Sequence, residues 1–327
     1  MRLALILFVF FATSKVFAWG KQGHAIINQT AALILADSEN KDFLREHAFD
    51  LSYFANVPDI AWKQEKTYNI EAPQHFMDLE VFEREIKIKK SKGPYKVDEA
   101  FFLDREEFEA KYPHISLKAG RSWWRTREIF DLLHKQSDFL ADSKMSVKER
   151  HSLQAQWLVL AGVLGHYVGD LAQPLHLTEN FDGQLSSQKG VHSFFEDKMV
   201  NMLIPKLSET VFNEAKKQWP AFAKANHDLS TLNLIANLSQ KSRTSLKDLL
   251  AIDKKIKRKK QAEHAKAFEK IIVAQMVQGS LCLAELWRRN LDFKFNGQMF
   301  YTFISIPDYI YPGTSATAHI EEVEQEN

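Results

Sequence analysis

Two histidine–carboxylate pairs, His166 with Asp170 and His192 with Glu196, constrain this chain more than anything else in it. Both run at a four-residue step. On a helix that step puts the two side chains on one face, about 5–6 Å apart at Cβ, close enough to share or flank an ion. The run around them reads Gly165-His166-Tyr167-Val168-Gly169-Asp170-Leu171-Ala172-Gln173-Pro174-Leu175-His176, then Gly190-Val191-His192-Ser193-Phe194-Phe195-Glu196. Upstream, Leu153, Trp157, Leu160, Ala161 and Leu164 recur at three- and four-residue steps. A helix is therefore expected to carry His166 and Asp170 and to stop at Gln173-Pro174. Standing alone, His166 bonded to Asp170 would read as a structural core pair. The second pair and His176 in the same short stretch favour a metal site, because imidazole and carboxylate are the usual ligands of catalytic zinc.

The remainder is ordinary globular sequence: 327 residues, 45% hydrophobic and 26% charged, with no internal repeat. Arg2, the apolar run Leu3 to Ala12 and the compact Val16-Phe17-Ala18 read as a secretory signal over residues 1–18, too short for a membrane span. Export to the periplasm or the exterior is expected, with no transmembrane segment in the mature chain. Losing Arg2 and Lys15 moves the net charge from +1 to −1, so the overall balance does not demand a polyanionic partner. Cys282 is the only cysteine, which excludes an intramolecular disulfide; within an apolar helical run it reads as a buried thiol.

Cleavage after Ala18 would make Trp19 the first residue, and a free α-amine with its own carbonyl oxygen can form a five-membered chelate. His24 follows, at the start of an expected helix that Ile26, Ile27, Ala31 and Leu33 continue. Asp59 comes directly after Pro58, and His75 shortly after Pro73, so each is held near a rigid turn. Residues 83–121, charged and punctuated, read as a surface excursion rather than a core element. Trp123 and Trp124 read as packing residues. The basic run 254–260 reads as a solvated helix face or loop in preference to a phosphate contact. Phe300, Tyr301, Phe303, Ile304 and Ile306 suggest a short extended segment near the C-terminus, and residues 313–327 an acidic disordered tail. Helical periodicity over residues 25–35, 151–172, 192–203 and 271–289 points to an all-α single domain spanning 19–312.

Trp19-Gly20 with His24, Asp59, His75, the run from His166 through His176, and His192 with Glu196 together resemble the superfamily of trinuclear-zinc phosphodiesterases. That superfamily joins the fungal and plant single-strand-specific zinc nucleases to bacterial zinc-dependent phospholipase C. The resemblance spans Trp19 to about Leu291 and implies a multi-helix domain of the phospholipase C/zinc nuclease type, whose ligands converge on one cleft. It also implies three zinc ions. Asp59, His75, His166 and Asp170 would hold one. His176, His192 and Glu196 would hold the second. The amine and carbonyl of Trp19, His24 and a bridging oxygen of Asp170 would hold the third. The implied activity is phosphodiester hydrolysis by a metal-activated hydroxide, with Asp59 orienting or deprotonating the attacking water.

The sequence departs from the nuclease pattern in places. Glu196 stands where fungal nucleases carry an Asp, and Trp62 and Lys63 follow Asp59 where they carry an Arg; Lys63 is the substitute phosphate contact. The cysteines of many fungal nucleases are missing. Glu196 and the short connector from His176 to His192 lean toward phospholipase C. The Trp19-to-His24 spacing and the Gly169-Asp170 and Gln173-Pro174-Leu175-His176 wording lean toward the nucleases. Phe54, Trp62, Phe76 and Phe181 are candidates to stack an unpaired base or to rim a head-group pocket. Single-stranded nucleic acid is the first expectation for substrate, phospholipid the second, and a non-catalytic zinc-binding protein the third. No protein partner is implied.

Overall fold

The chain is a set of helices joined by short turns. There is no strand among the residues described by the computed structural model, which are 19–39, 41–87, 97–142, 144–295 and 307–313. The first half holds α1 Gly20–Glu39, α2 Asp42–Glu46, α3 Ala48–Phe54, α4 Tyr68–Glu71, α5 Leu79–Glu85, α6 Arg105–Lys111 and α7 Ser122–Ala141. The second half holds α8 Val147–Leu171, α9 Val191–Ser193, α10 Val200–Leu203, α11 Lys206–Asn226, α12 Thr231–Thr244, α13 Leu246–Lys255 and α14 Gln261–Arg288. The signal, the extended segment at 300–306 and most of the acidic tail lie outside the described residues.

The all-α expectation holds, with local differences that have physical causes. Ser146 caps α8 in a reciprocal capping box with Glu149, so the helix begins before His151. It ends at Leu171, and Gln173-Pro174 opens a 3₁₀ turn, Pro174–Leu177. Helix α1 begins at Gly20, which places His24 in its second turn rather than at its start. Residues 191–203 are helical throughout, but a π-helical turn, Phe194–Met199, separates α9 from α10 and carries Glu196. Such widened turns recur at functional sites.

Helix α8 is the central element, buried along its whole second half. Its glycines set how closely its neighbours approach. A Cβ on Gly162 would lie 2.5 Å from the Cβ of Phe54, one on Gly165 2.1 Å from Asn28 Oδ1, and one on Gly169 2.6 Å from His24 Nδ1. Bare backbone at these positions lets α3 and α1 close onto α8, and the imidazoles of His24 and His166 stack with centroids 4.0 Å apart. Helix α14 is long and apolar enough, by length and composition, to cross a membrane. Its Phe268, Ile272, Met276, Leu281, Leu286 and Trp287 are instead fully buried against α1, α8 and α11, as in a core helix. Cys282 is buried there too, and burial pushes its thiol pKa up.

Residues 97–121 are not a surface excursion. Val97, Phe101, Phe108 and Ile115 are buried, and the Arg121 guanidinium donates to the carbonyls of Gly120 and Ile115 at 2.8 and 2.9 Å. The acidic residues of this stretch open α6, where Asp104 and Glu107 form a capping box, while Phe108 turns into the core. Residues 88–96 lie outside the described set. Trp123 and Trp124 pack as expected, their indole N–H groups donating to Ser239 Oγ and the Leu103 carbonyl. In the basic run the lysines are exposed, whereas Arg258 pairs with Asp253 and donates to the carbonyls of Gln188 and Lys189.

Gly165→Ala forces α1 and α8 apart, since the new methyl would overlap Asn28. Overpacking of this kind costs about 1–3 kcal/mol, expected as a lower urea midpoint. An unchanged midpoint would mean that the interface has slack that these contacts do not suggest.

Candidate metal centre

Irregular backbone delivers much of the site. The π-helical turn Pro58–Trp62 presents Asp59, the 3₁₀ turn Ala72–His75 presents His75, and the last turns of α8 present His166 and Asp170. His75 Nδ1 lies 2.9 Å from His166 Nε2, 3.1 Å from Asp170 Oδ2 and 3.7 Å from Asp59 Oδ1. His24 Nε2 is 3.5 Å from Asp170 Oδ1. In a second cluster, His192 Nε2 lies 2.8 Å from Glu196 Oε2 and 3.1 Å from His176 Nε2. His176 connects the two clusters, its Nδ1 being 3.7 Å from Asp170 Oδ1. Every one of these side chains is buried, Asp59 being the most open at 8%.

Main-chain carbonyls decide which ring nitrogen faces inward. His166 Nδ1 donates to the Ala55 carbonyl at 2.8 Å, His176 Nδ1 to that of His75 at 2.6 Å, and His192 Nδ1 to that of Phe181 at 2.9 Å. A carbonyl only accepts, so each Nδ1 carries a proton and each ring turns its Nε2 into the site. His75 is held the other way round: Nδ1 faces inward, within hydrogen-bond distance of Asp170 Oδ2 at 3.1 Å, while Nε2 is 3.1 Å from Glu71 Oε1 without hydrogen-bond geometry. The contact between His176 and His192 therefore sets acceptor against acceptor when both rings are neutral.

Gln173 reaches Glu196 Oε2 at 2.8 Å and His192 Nε2 at 3.2 Å, but leaves His176 Nε2 facing His192 and Glu196. A proton between His176 and His192 would relieve only that contact. Both ring nitrogens of His24, Asp170 Oδ1 and Glu196 Oε1 would still be buried without a hydrogen-bond partner, which is costly. Metal cations could meet one nitrogen of His24 and the two carboxylate oxygens together. Three sets, His24/Asp59/His166, His75/His166/Asp170 and His176/His192/Glu196, have ligand atoms within 4.8 Å of one another. That spread suits an ion with ligand distances of roughly 2.0–2.2 Å.

The carboxylates are in ligating form. Burial alone would raise Asp170, but the imidazoles of His166 and His176 hold it well below the ordinary range. Burial is likewise outweighed at Asp59, where the Lys63 ammonium and the His166 and His75 rings bring the pKa down to about 2. Glu196 is lowered against burial by His192 and His176.

The other expected residues are placed less evenly. Trp19 is fully buried one turn before His24, its ring 5.6 Å from that of Phe195 and its carbonyl accepting from Gly23 N at 3.2 Å. Lys63 Nζ is 3.1 Å from Asp59 Oδ1, so its charge is already partnered. Phe54 and Trp62 are core side chains, 3% and 2% exposed. Phe54 fills the space beside Gly162, and the Trp62 indole donates to the Pro307 carbonyl at 3.0 Å, so neither ring has a face open to a base. Phe76 is half-buried; Phe181 is 44% exposed, with its ring centroid 6.5 Å from that of His192.

Sequence reasoning missed Glu71, Arg125, Tyr167 and Tyr309, which stand behind His75, and the contact of Gln173 with Glu196. Glu71 precedes His75 by the same four-residue step as the other pairs, but the intervening Pro73 hides the signal. No protein-family model matches the chain, and no curated protein registers as a relative.

At free zinc a hundredfold above its Kd, one bound ion adds about 2.7 kcal/mol. Zinc should therefore raise the thermal midpoint of chelator-treated protein by several degrees. No shift would mean that protons alone meet these nitrogens and carboxylates.

Proposed function

We propose that the protein is an exported zinc-dependent phosphodiesterase, a nuclease that hydrolyses single-stranded nucleic acid and carries three zinc ions per chain. The observation that carries the reading is the convergence of buried imidazole nitrogens and carboxylate oxygens in three sets within 4.8 Å, with His176 and His192 meeting Nε2 to Nε2. Imidazole and carboxylate donors without thiolate suit catalytic zinc. Asp59, His75, His166 and Asp170 would hold one ion, and His176, His192 and Glu196 another. The third falls to His24, Asp170 and, once residues 1–18 are removed, the amine and carbonyl of Trp19.

Bound zinc supplies Lewis acidity toward phosphoryl oxygens and an activated water at neutral pH. Asp59, the most accessible acid of the site and ionised beside Lys63, orients the attacking water and accepts its proton. Lys63 brings positive charge for a phosphate oxygen. Phe181 offers the exposed aromatic face next to the second cluster on which a base can stack, and Phe76 is the neighbour of His75. Phospholipase C is the second reading, favoured by Leu185, which at 73% exposed extends the same loop as Phe181 into an apolar rim.

Mature, zinc-loaded protein assayed side by side on single-stranded DNA, RNA and phosphatidylcholine should release nucleotides and no phosphocholine. The reverse result would assign the lipid, and turnover of neither would leave a metal-binding protein without this activity. Asp59→Asn should retain the fold and most of the zinc while kcat falls by about a hundredfold or more; unaltered kcat would move the proton-transfer role to another group. One extra residue ahead of Trp19 should lower both zinc content and activity, and full values for both would remove Trp19 from the ligand set.

A further inference from the structure

Behind His75, on the side away from the metal cluster, lies a buried network that the proposed chemistry does not use. Glu71 is fully buried and receives four partners. His75 Nε2 lies 3.1 Å from Oε1, to which Tyr167 also donates at 2.6 Å; Tyr309 donates to Oε2 at 2.9 Å, with Arg125 Nη2 at 3.5 Å. Arg125 is fully buried as well. It donates to Tyr167 Oη at 3.1 Å and to the Ile310 carbonyl at 2.7 Å, and packs against the rings of Tyr167, Trp62 and Tyr309.

Two of Glu71's partners thus depend on residues 307–313. Tyr309 belongs to that segment, and Arg125 is tied to its backbone at Ile310. The segment is pinned a third time where the Trp62 indole meets the Pro307 carbonyl, in the same π-helical turn as Asp59.

A carboxylate held against the outer nitrogen of a ligating imidazole orients the ring and makes its inner nitrogen the more basic ligand, and Glu71 stands 3.1 Å from that nitrogen of His75. Among the site's histidines with a partner on the outer nitrogen, His75 has a carboxylate; His166, His176 and His192 have main-chain carbonyls. We propose that residues 307–313 form a strap that sets the metal affinity of the His75 cluster, with Tyr309 and Arg125 acting as positioning residues through Glu71. The proposal rests on the metal reading of the site. It also separates the two clusters, because the strap reaches the His75 ring through Glu71, whereas His176 bonds His75 only at the main chain.

The mature full-length protein and Tyr309→Phe are titrated with zinc against a chromophoric chelator, then with cobalt(II), whose visible absorption reports on ligand geometry. Loss of such an outer carboxylate contact typically lowers metal affinity 10- to 100-fold. Tyr309→Phe removes one of Glu71's donors and should weaken one class of site by about tenfold, the low end of that range. The cobalt spectrum of that class should change, while another class keeps its wild-type affinity. Glu71→Gln should weaken the same class further. Equal weakening of every class, or no change in any, overturns the strap. Wild-type protein that takes up no metal overturns the metal reading itself, a result distinct from either.

Discussion

Three main-chain carbonyls, those of Ala55, His75 and Phe181, hold the Nδ1 protons of His166, His176 and His192 and thereby turn three Nε2 atoms inward. None of the three carbonyls is committed to a regular α-helical hydrogen bond, because each belongs to a turn or a helix end. The irregular backbone around Asp59, His75 and Phe181 is therefore what leaves these carbonyls open to the imidazoles. Rings aimed this way gather nitrogens beside three carboxylates held below their ordinary pKa range, an arrangement that a low-dielectric interior favours only where positive charge is shared among them.

The scaffold is built so that this crowding persists. Bare glycine backbone on α8 lets α1 press His24 onto His166, and the apolar stripe of α14 closes over the same helix. Such packing keeps the ligands in place at some expense in stability, since like-charged and acceptor groups are forced together by the burial of apolar surface elsewhere. The Glu71–Arg125 pair repeats the logic one layer out: a buried charge is retained because a buried partner and two tyrosine hydroxyls satisfy it.

Much of this was legible in local spacing. The four-residue steps at His166/Asp170 and His192/Glu196 carry their own structural meaning, and helical periodicity around them sufficed for the fold class. Asp59 and His75 sit in short irregular turns, where periodicity says nothing, and only the resemblance singled them out. Residues 97–121 were misread because the punctuated basic run from Lys89 to Pro94 was extended over a stretch whose Phe101, Phe108 and Ile115 face the core. Glu71 and Tyr309 lie 238 residues apart in sequence, and no pattern in one chain announces a contact of that range. The π-helical turn at Glu196 is likewise invisible to a 3.6-residue period. Phe54 and Trp62 are near ligands in sequence, but their rings face the core.

The central claim is that these nitrogens and carboxylates converge on metal ions, and anomalous diffraction at the zinc edge from crystals of the mature protein tests it most directly. The account predicts separate peaks among His24/Asp59/His75/His166/Asp170 and His176/His192/Glu196, with inward ring nitrogens at roughly 2.0–2.1 Å. Zinc-soaked crystals showing no anomalous density in either cluster, with the rings still in contact, would contradict it.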